Sequence, residues 1–392
     1  MPRISTEQRR ARLALRHHIA PKARADSAVT VAEDLVALHA TDPATVYLSL
    51  WARMTAPEIA GIERVLYDDR TLVRMLAMRR TMFVTPAELV PVLHAACTDA
   101  IAVRERRKLV QLVRQGGFTG EVESWLDELS EITMTALTER GEALAAELSR
   151  DDPRLATKVT LAQGKSYAAE QSILTRILFL LSAQGRVVRG RPRGSWVSRQ
   201  HRWVPTERWL PAAPATWSTA DAQVELARRW LASFGPGTVD DLKWWTGWTL
   251  TEARKALVRL DVEEVELDDG GTGVVLAGDT KKTRVPEPWV ALLPALDPTV
   301  MGYAARDWFL GPHRKTLFDV NGNAGPTVWY AGRVVGGWAQ RTDGEVVYRL
   351  LEDIGSGAEA QVAAEAARLA TWLGPAKVTP SFRTPLEREL GL

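Results

Sequence analysis

The chain has 392 residues, a formal net charge of +2, 46% apolar residues and 25% charged residues. This is ordinary composition for a soluble protein of roughly two to four domains, and it excludes a uniformly basic surface. The single cysteine, Cys97, excludes an internal disulfide and a cysteine-based zinc site, so we expect a cytoplasmic protein. We predict no signal peptide and no membrane span.

The first region, residues 1–118, predicts short helices followed by a small strand pair. Ser5 or Thr6 begins a helix that reaches about His17. Further helices are predicted at about 30–40, 43–52 and 55–67, then β-type residues over 71–86 and a long helix at about 86–114. This order of elements is the winged-helix plan, a variant of the helix-turn-helix.

A polar cluster interrupts this region at His39-Ala40-Thr41-Asp42. The residue before Pro43 is disfavoured in the α region, so one helix should end by Thr41 and Asp42 should cap the next. We therefore predict a helix-helix corner where His39, Thr41 and Asp42 converge on a groove as candidate catalytic residues. The alternative is structural: Asp42 only caps a helix, and His39 is a partly buried histidine bound to a carbonyl group.

The second region, residues 119–214, predicts helices at about 121–129, 135–149 and 170–183 and then a basic hairpin. Arginines interleaved with tryptophans suit phosphate contact and stacking, so we predict DNA contact here. The candidate residues of the hairpin are Arg186, Arg189, Arg191, Arg193, Arg199 and Arg202. Arg79 and Arg80, in the strand pair of the first region, are further candidate phosphate anchors. The alternative is a solvated hairpin whose tryptophans pack inward.

The third region, residues 215–282, predicts a helix-turn-helix followed by a hairpin. Thr238 caps one helix, and Thr249 with Glu252 forms a capping box for the next. The hairpin is acidic and would repel phosphates; its carboxylates are Asp261, Glu263, Glu264, Glu266, Asp268 and Asp269. We predict that this unit is a scaffold or packs on the other domains.

The last region, residues 283–392, predicts a β-rich domain with a helix near its end. A buried strand ends at Asp297-Pro298, and we predict a structural role for Asp297. The chain has no P-loop, dinucleotide fingerprint, HExxH or GxSxG motif. We therefore predict no cofactor and no metal centre.

Three stretches together resemble one known family. They are Leu38-His39-Ala40-Thr41-Asp42-Pro43 with Tyr47-Leu48 and Trp51-Ala52-Arg53; Leu72-Val73-Arg74 with Met78-Arg79-Arg80-Thr81; and Leu292-Leu293-Pro294-Ala295-Leu296-Asp297-Pro298 with Gly302-Tyr303 and Arg314-Lys315. The chain resembles the AlkZ-like winged-helix DNA glycosylases. The resemblance implies an α+β fold, with three tandem winged helices and a C-terminal β-rich element in a C-shaped arrangement around DNA.

The same resemblance implies excision of N-alkylated purines, including bulky or crosslinked adducts. The expected partner is alkylated or adducted double-stranded DNA, and we expect a monomer, associated with the nucleoid when bound. The family motif is glutamine, a small or aliphatic residue, then glutamine or aspartate, whereas this chain has His39, Ala40 and Thr41, with Asp42 next. A neutral His39 can hold and deprotonate a water, while Asp42 can stabilise a cation or orient His39.

Two alternatives remain open at this point. The changed motif favours a non-catalytic winged-helix DNA-binding protein or regulator, in which the polar corner is only structural. The 15 tryptophans and the near-neutral charge favour a protein-protein scaffold built from winged helices. Release of a base from alkylated DNA separates an enzyme from both.

Overall fold

The computed structural model describes residues 1–161, 169–210 and 216–392. Its α-helices are α1 (Thr6–Arg16), α2 (Ala28–Asp34), α3 (Pro43–Arg53), α4 (Ile59–Glu63), α5 (Val90–Leu93), α6 (Asp99–Gln115), α7 (Val122–Arg140), α8 (Ala145–Leu148), α9 (Ile173–Ala183), α10 (Thr206–Trp209), α11 (Thr219–Phe234), α12 (Val239–Thr246), α13 (Leu250–Val258), α14 (Asp307–Leu310), α15 (Arg314–Leu317), α16 (Ser356–Leu373) and α17 (Pro385–Leu390). Its strands are β1 (Arg3–Ile4), β2 (Leu38–His39), β3 (Leu72–Leu76), β4 (Met82–Pro86), β5 (Lys158–Leu161), β6 (Ala169–Ser172), β7 (Val187–Pro192), β8 (His201–Pro205), β9 (Val262–Leu267), β10 (Thr272–Leu276), β11 (Val290–Leu293), β12 (Thr327–Tyr330), β13 (Arg333–Gln340) and β14 (Val346–Leu350).

The strands form small sheets between the helices. Their orders are β2-β4-β3, β5-β6, β7-β8, β1-β9-β10 and β11-β12-β13-β14, and all pairs are antiparallel except β1 with β9. This mixture of helices and small sheets agrees with the predicted α+β class. Within the described part of the chain, no helix combines the length and the apolar content that a membrane crossing needs.

The segment before the polar cluster is a strand, and the helix predicted over 30–40 is confirmed only as far as Asp34. Helix α2 is capped by Ser27 and ends before Val36, whose φ of 64° lies in the left-handed region. Leu38 and His39 then pair with β4, opposite Val84 and Phe83. Pairing with a distant strand therefore overrides the local helical pattern, and the corner lies between a strand and a helix.

Several other predicted elements are confirmed. Asp42 caps α3 with Pro43 at the first helical position, and the strand pair over 71–86 is β3 with β4. In the second region, the two predicted helices over 121–149 are instead one long helix, α7, and the short helix α8. The predicted boundary at 214/215 lies outside the described residues.

Two main apolar cores hold these elements together. The larger core joins the N-terminal helices, α11 and the C-terminal sheet, and it contains the fully buried Trp51, Trp230 and Trp329. The smaller core lies in the second region, where Leu126 of α7 packs with Ile177 of α9. The first, third and last regions thus share one interior.

The acidic hairpin of the third region packs against the N-terminus. Strand β1 runs parallel to β9, and Arg3 forms an ion pair with Asp268 at 3.1 Å. The same Asp268 carboxylate accepts a 2.6 Å hydrogen bond from the backbone N–H of Thr6. The prediction that this hairpin packs on another part of the chain is confirmed.

A fully buried ion pair ties α3 to the turn after β11. The Arg53 guanidinium donates to both carboxylate oxygens of Asp297 at 2.7 and 2.8 Å, and both side chains are 0% exposed. Ser49 also donates to Asp297, at 3.1 Å, and the backbone N–H of Thr299 donates at 2.9 Å. The predicted structural role of Asp297 is confirmed, because its acceptor positions are filled by the fold.

Removing Arg53 should leave a buried carboxylate without its counter-charge. We expect Arg53→Ala to lower the free energy of unfolding by about 3–5 kcal/mol in urea denaturation. As a control, Arg349→Ala removes the exposed ion pair with Glu389 and should change it by about 0–1 kcal/mol. Equal losses in the two variants would contradict this account.

Candidate functional site

His39 lies at the end of β2, with its side chain only 4% exposed. Its ring centre is 5.1 Å from that of Phe83 on the paired strand β4. Its Nδ1 atom lies 3.5 Å from the backbone N–H of Thr41, at the outer limit of a hydrogen bond. If it accepts this bond, the proton of the neutral ring is on Nε2.

Burial makes His39 a neutral side chain. Desolvation, with a smaller contribution from the positive charge of Arg79, lowers the pKa of His39 to about 3. The imidazole can therefore orient a water by hydrogen bonding at physiological pH, but it binds a proton weakly.

Asp42 is also buried, and it is held from two directions. One oxygen, Oδ1, accepts from the backbone N–H of Ala44 at 3.3 Å, which is the helix cap. The other, Oδ2, accepts from the backbone N–H and the hydroxyl of Ser381 at 2.8 and 3.0 Å. A carboxylate has about four acceptor positions, so three are filled here and one remains for another donor.

Thr41 lies between these two side chains. It is half-buried, and its hydroxyl oxygen accepts a 3.3 Å hydrogen bond from the backbone N–H of Met82 on β4. The hydroxyl keeps its own proton for donation. The corner thus carries an imidazole, a hydroxyl and a carboxylate within four consecutive residues, and no hydrogen bond joins His39 to Asp42.

Two residues that hold this corner were not predicted as site residues from the sequence. Arg74 of β3 donates through two nitrogens to the carbonyl oxygen of Ala40, at 3.1 and 2.6 Å. Arg74 belongs to one of the three stretches that suggested the family, which was the available signal. Ser381 is 339 residues from Asp42 in sequence, and no local pattern marks it.

Arg79 and Arg80 form the tight turn between β3 and β4. Both have left-handed backbone, with φ of 51° and 64°, a conformation that costs a non-glycine residue about 1–3 kcal/mol. The guanidinium of Arg79 lies 4.1 Å from the ring centre of Trp244 on α12, and Arg80 forms an ion pair with Glu105 at 2.8 Å. This turn therefore directs Arg79 to the third region and Arg80 to α6.

Half of the predicted hairpin arginines form ion pairs in this structure. These are Arg186 with Glu131 at 2.7 Å, Arg191 with Asp68 at 2.8 Å and with Glu63 at 3.2 Å, and Arg202 with Glu142 at 3.3 Å. Such partners must be exchanged for phosphates if these residues are to bind DNA.

The other hairpin arginines differ in burial. Arg189 packs 5.4 Å from the ring centre of Trp203, and burial lowers its pKa to about 9. Arg193 and Arg199 are exposed and make no ion pair with a residue inside the described ranges. Between them, Trp196 inserts beside Tyr47 of α3, with ring centres 4.9 Å apart. The hairpin tip thus docks on the helix that begins at Asp42.

The sequence profile of the DNA glycosylase AlkZ-like family matches residues 32–372. The chain belongs to this AlkZ-like family. The solved structure of the Streptomyces sahachiroi DNA glycosylase AlkZ is similar, with a TM-score of 0.74 and 22% sequence identity over 94% of this chain and 97% of that chain. No curated protein matches the chain. The resemblance inferred from the sequence is confirmed, and the solved structure shows the shared fold.

The polar corner lies at the start of α3, and the tip of the basic hairpin packs on the same helix through Trp196 and Tyr47. Among the described residues, no three His, Cys, Asp or Glu side chains are grouped so that they could hold a metal ion.

The lowered pKa values of the buried histidines should make the free energy of unfolding depend on pH. Burial lowers the pKa of His39 to about 3 and that of His201 to about 2, against 6.5 for an ordinary histidine, and also lowers that of His17. Below pH 6.5 the unfolded chain binds protons that the folded chain excludes, so the free energy of unfolding should fall as the pH drops toward 4.

Urea denaturation at several pH values tests this expectation. His39→Gln should make the slope of the free energy of unfolding against pH shallower by up to about 1.4 kcal/mol per pH unit. His18→Asn is the control. A hydrogen bond with Asp34 raises the pKa of His18, so the stability that protonated His18 contributes is lost only as the pH rises above 6.5. It should leave the slope between pH 4 and 6 unchanged. An unchanged slope in His39→Gln would count against a buried neutral imidazole.

Proposed function

We propose that this protein is a monofunctional DNA glycosylase that hydrolyses the N-glycosidic bond of N-alkylated purines in duplex DNA. The observation that carries the proposal is the corner of an AlkZ-like chain, which has a buried neutral imidazole at His39, a hydroxyl at Thr41 and a carboxylate at Asp42. The corner supplies no amine, so the nucleophile we propose is water.

The chemistry suits a lesion that already carries positive charge. As the bond between C1′ and the purine nitrogen breaks, its electron pair leaves with the base, and oxocarbenium character builds on the sugar. An alkylated purine becomes neutral as it leaves, so no strong general acid is needed. The oxygen of water then bonds to C1′, and its proton passes to solvent.

Each corner residue has a role that its contacts allow. With its low pKa, His39 orients the water by hydrogen bonding and is only a weak base. Asp42 has one acceptor position left to face the developing sugar cation. Thr41, which retains its hydroxyl proton, can donate a second hydrogen bond to the water.

DNA must be deformed before the sugar reaches a buried corner. We propose that Arg193 and Arg199, at the hairpin tip that docks on α3, contact phosphates directly, and that Arg79 and Arg80 support the same surface. We propose Arg186, Arg189, Arg191 and Arg202 as further contacts after rearrangement.

The three-winged-helix division of the chain, its C-shaped arrangement and its activity as a monomer belong to the same proposal. The helices and small hairpins of 1–118, 119–214 and 215–282, followed by the sheet of 283–392, support this division. Bulky or crosslinked adducts are the proposed wider substrate range.

Release of 7-methylguanine from alkylated duplex DNA tests the function. We expect the parent protein to release base, and His39→Ala and Asp42→Asn to lower the rate by about 10²–10⁴-fold while duplex binding is retained. His94→Ala and Asp26→Asn are matched controls, because both side chains lie outside the corner, and they should keep the parent rate.

The same assay tests the second candidate, a non-catalytic DNA-binding protein. That candidate is favoured by the replacement of the family's glutamines with His39 and Thr41. No base release from simple or bulky adducts, beside firm and salt-sensitive duplex binding, would establish it and refute the glycosylase.

A further inference from the structure

A basic cleft of about 710 Å³ lies between α15 and α17, in the last region of the chain. Arg314 and Lys315 of α15 line one part of it, and Arg383 and Arg388 line another. None of these four cations belongs to the basic hairpin or to the β3–β4 turn.

The charges of the cleft are only partly compensated. Glu387 pairs with Arg383 at 2.7 Å. The other three cations, Arg314, Lys315 and Arg388, form no ion pair with any residue in the described part of the chain. Exposed cations without a counter-charge attract a polyanion through solvent.

The one acidic side chain that lines the cleft serves its own loop. Asp319 accepts hydrogen bonds from the backbone N–H groups of Asn321 and Asn323, at 2.9 and 2.8 Å, and from the Asn323 amide at 2.8 Å. Its single negative charge is smaller than the charge of the cations that line the cleft, and it forms no ion pair with Arg314, Lys315 or Arg388, so the cleft keeps a net positive charge.

The cleft reaches the catalytic corner through one residue. Ser381 lines the cleft, and it also donates its backbone N–H and hydroxyl to Asp42 at 2.8 and 3.0 Å. Ser381 therefore links a molecule bound in this cleft to the Asp42 carboxylate.

A buried arginine beneath the cleft adds to its positive potential. Arg306 is 3% exposed, and its guanidinium lies 5.2 Å from the ring centre of Phe318, which lines the cleft. Its Nη2 atom has no hydrogen-bond partner among the described residues. Burial, together with the positive charges of Arg79 and Arg314, lowers the pKa of Arg306 to about 9. An anion in the cleft would offset this repulsion.

We propose that Arg314, Lys315 and Arg388 bind backbone phosphates of the DNA strand that enters the corner at Asp42. This inference deepens the proposed glycosylase function and rests on it, because it names the group that guides the strand to the site. The occupant is DNA, since the corner that the cleft leads to is the proposed site of base excision.

The salt dependence of duplex binding tests the cleft. Each phosphate contact contributes about −0.9 to the slope of log affinity against log salt concentration. The triple variant Arg314→Ala/Lys315→Ala/Arg388→Ala should therefore flatten the slope by about 2–3. Arg314→Lys/Arg388→Lys keeps the charges and should keep the slope, which separates lost charge from lost packing.

A matched control removes three other exposed cations, Lys281, Lys282 and Arg284, which precede β11. This control triple should leave the slope near that of the parent. An unchanged slope in the cleft triple, or equal flattening in both triples, would overturn the inference. Flattening seen only with an RNA duplex would also overturn it, because the occupant would then be RNA.

Base release measured in parallel separates this inference from the proposed function. If the parent releases no base but the cleft triple flattens the slope, the cleft binds phosphates and the glycosylase proposal fails. If the parent releases base and the cleft triple binds with an unchanged slope, the function stands and the cleft inference fails.

Discussion

The buried ion pair between Arg53 and Asp297 fixes the position of α3, and the corner depends on that helix. A buried pair offsets the desolvation of its charges only when geometry and further hydrogen bonds are good. This pair is bidentate, and both side chains make further hydrogen bonds, although Nε of Arg53 has no partner among the described residues. Arg53 also donates to Thr299 at 2.8 Å, and the Thr299 hydroxyl lies 2.9 Å from Nδ1 of His17 after α1. One network thus joins α3, the turn after β11 and the N-terminal helix.

A second contact holds α3 near its beginning. The hydroxyl of Thr45 donates to the carbonyl oxygen of Ala295 at 3.0 Å, close to the Asp42 cap. Together with Arg53 at the far end, this bond fixes α3 against residues 295–299 along its length. The corner is then closed by Arg74 on the Ala40 carbonyl and by Ser381 on Asp42. Side chains held in this way are preorganised for chemistry on a bound substrate.

Local chemistry in the sequence predicted the start of α3 and the hairpins well. A proline after an aspartate specifies a cap, and alternating apolar residues with a glycine turn specify a hairpin, whatever the rest of the chain does. The strand at His39 could not be predicted, because it exists only through pairing with β4 and follows a strained Val36. The ion pair of Arg191 with Glu63, 128 residues apart, is equally non-local. The candidate side chains could therefore be predicted from the sequence. The ion-pair partners of the arginines and the contacts that hold Asp42 could not.

The proposed chemistry requires the corner to stabilise positive charge on a sugar. The most direct test compares the affinity of the protein for two duplexes, one with a cationic pyrrolidine abasic nucleotide and one with a neutral tetrahydrofuran abasic nucleotide. Contacts to phosphates contribute equally to both, so the ratio reports the corner alone. We expect the cationic duplex to bind about 10²-fold or more tighter, and we expect Asp42→Asn to lose that preference. Equal affinities in the parent protein, or a preference that survives in Asp42→Asn, would contradict it.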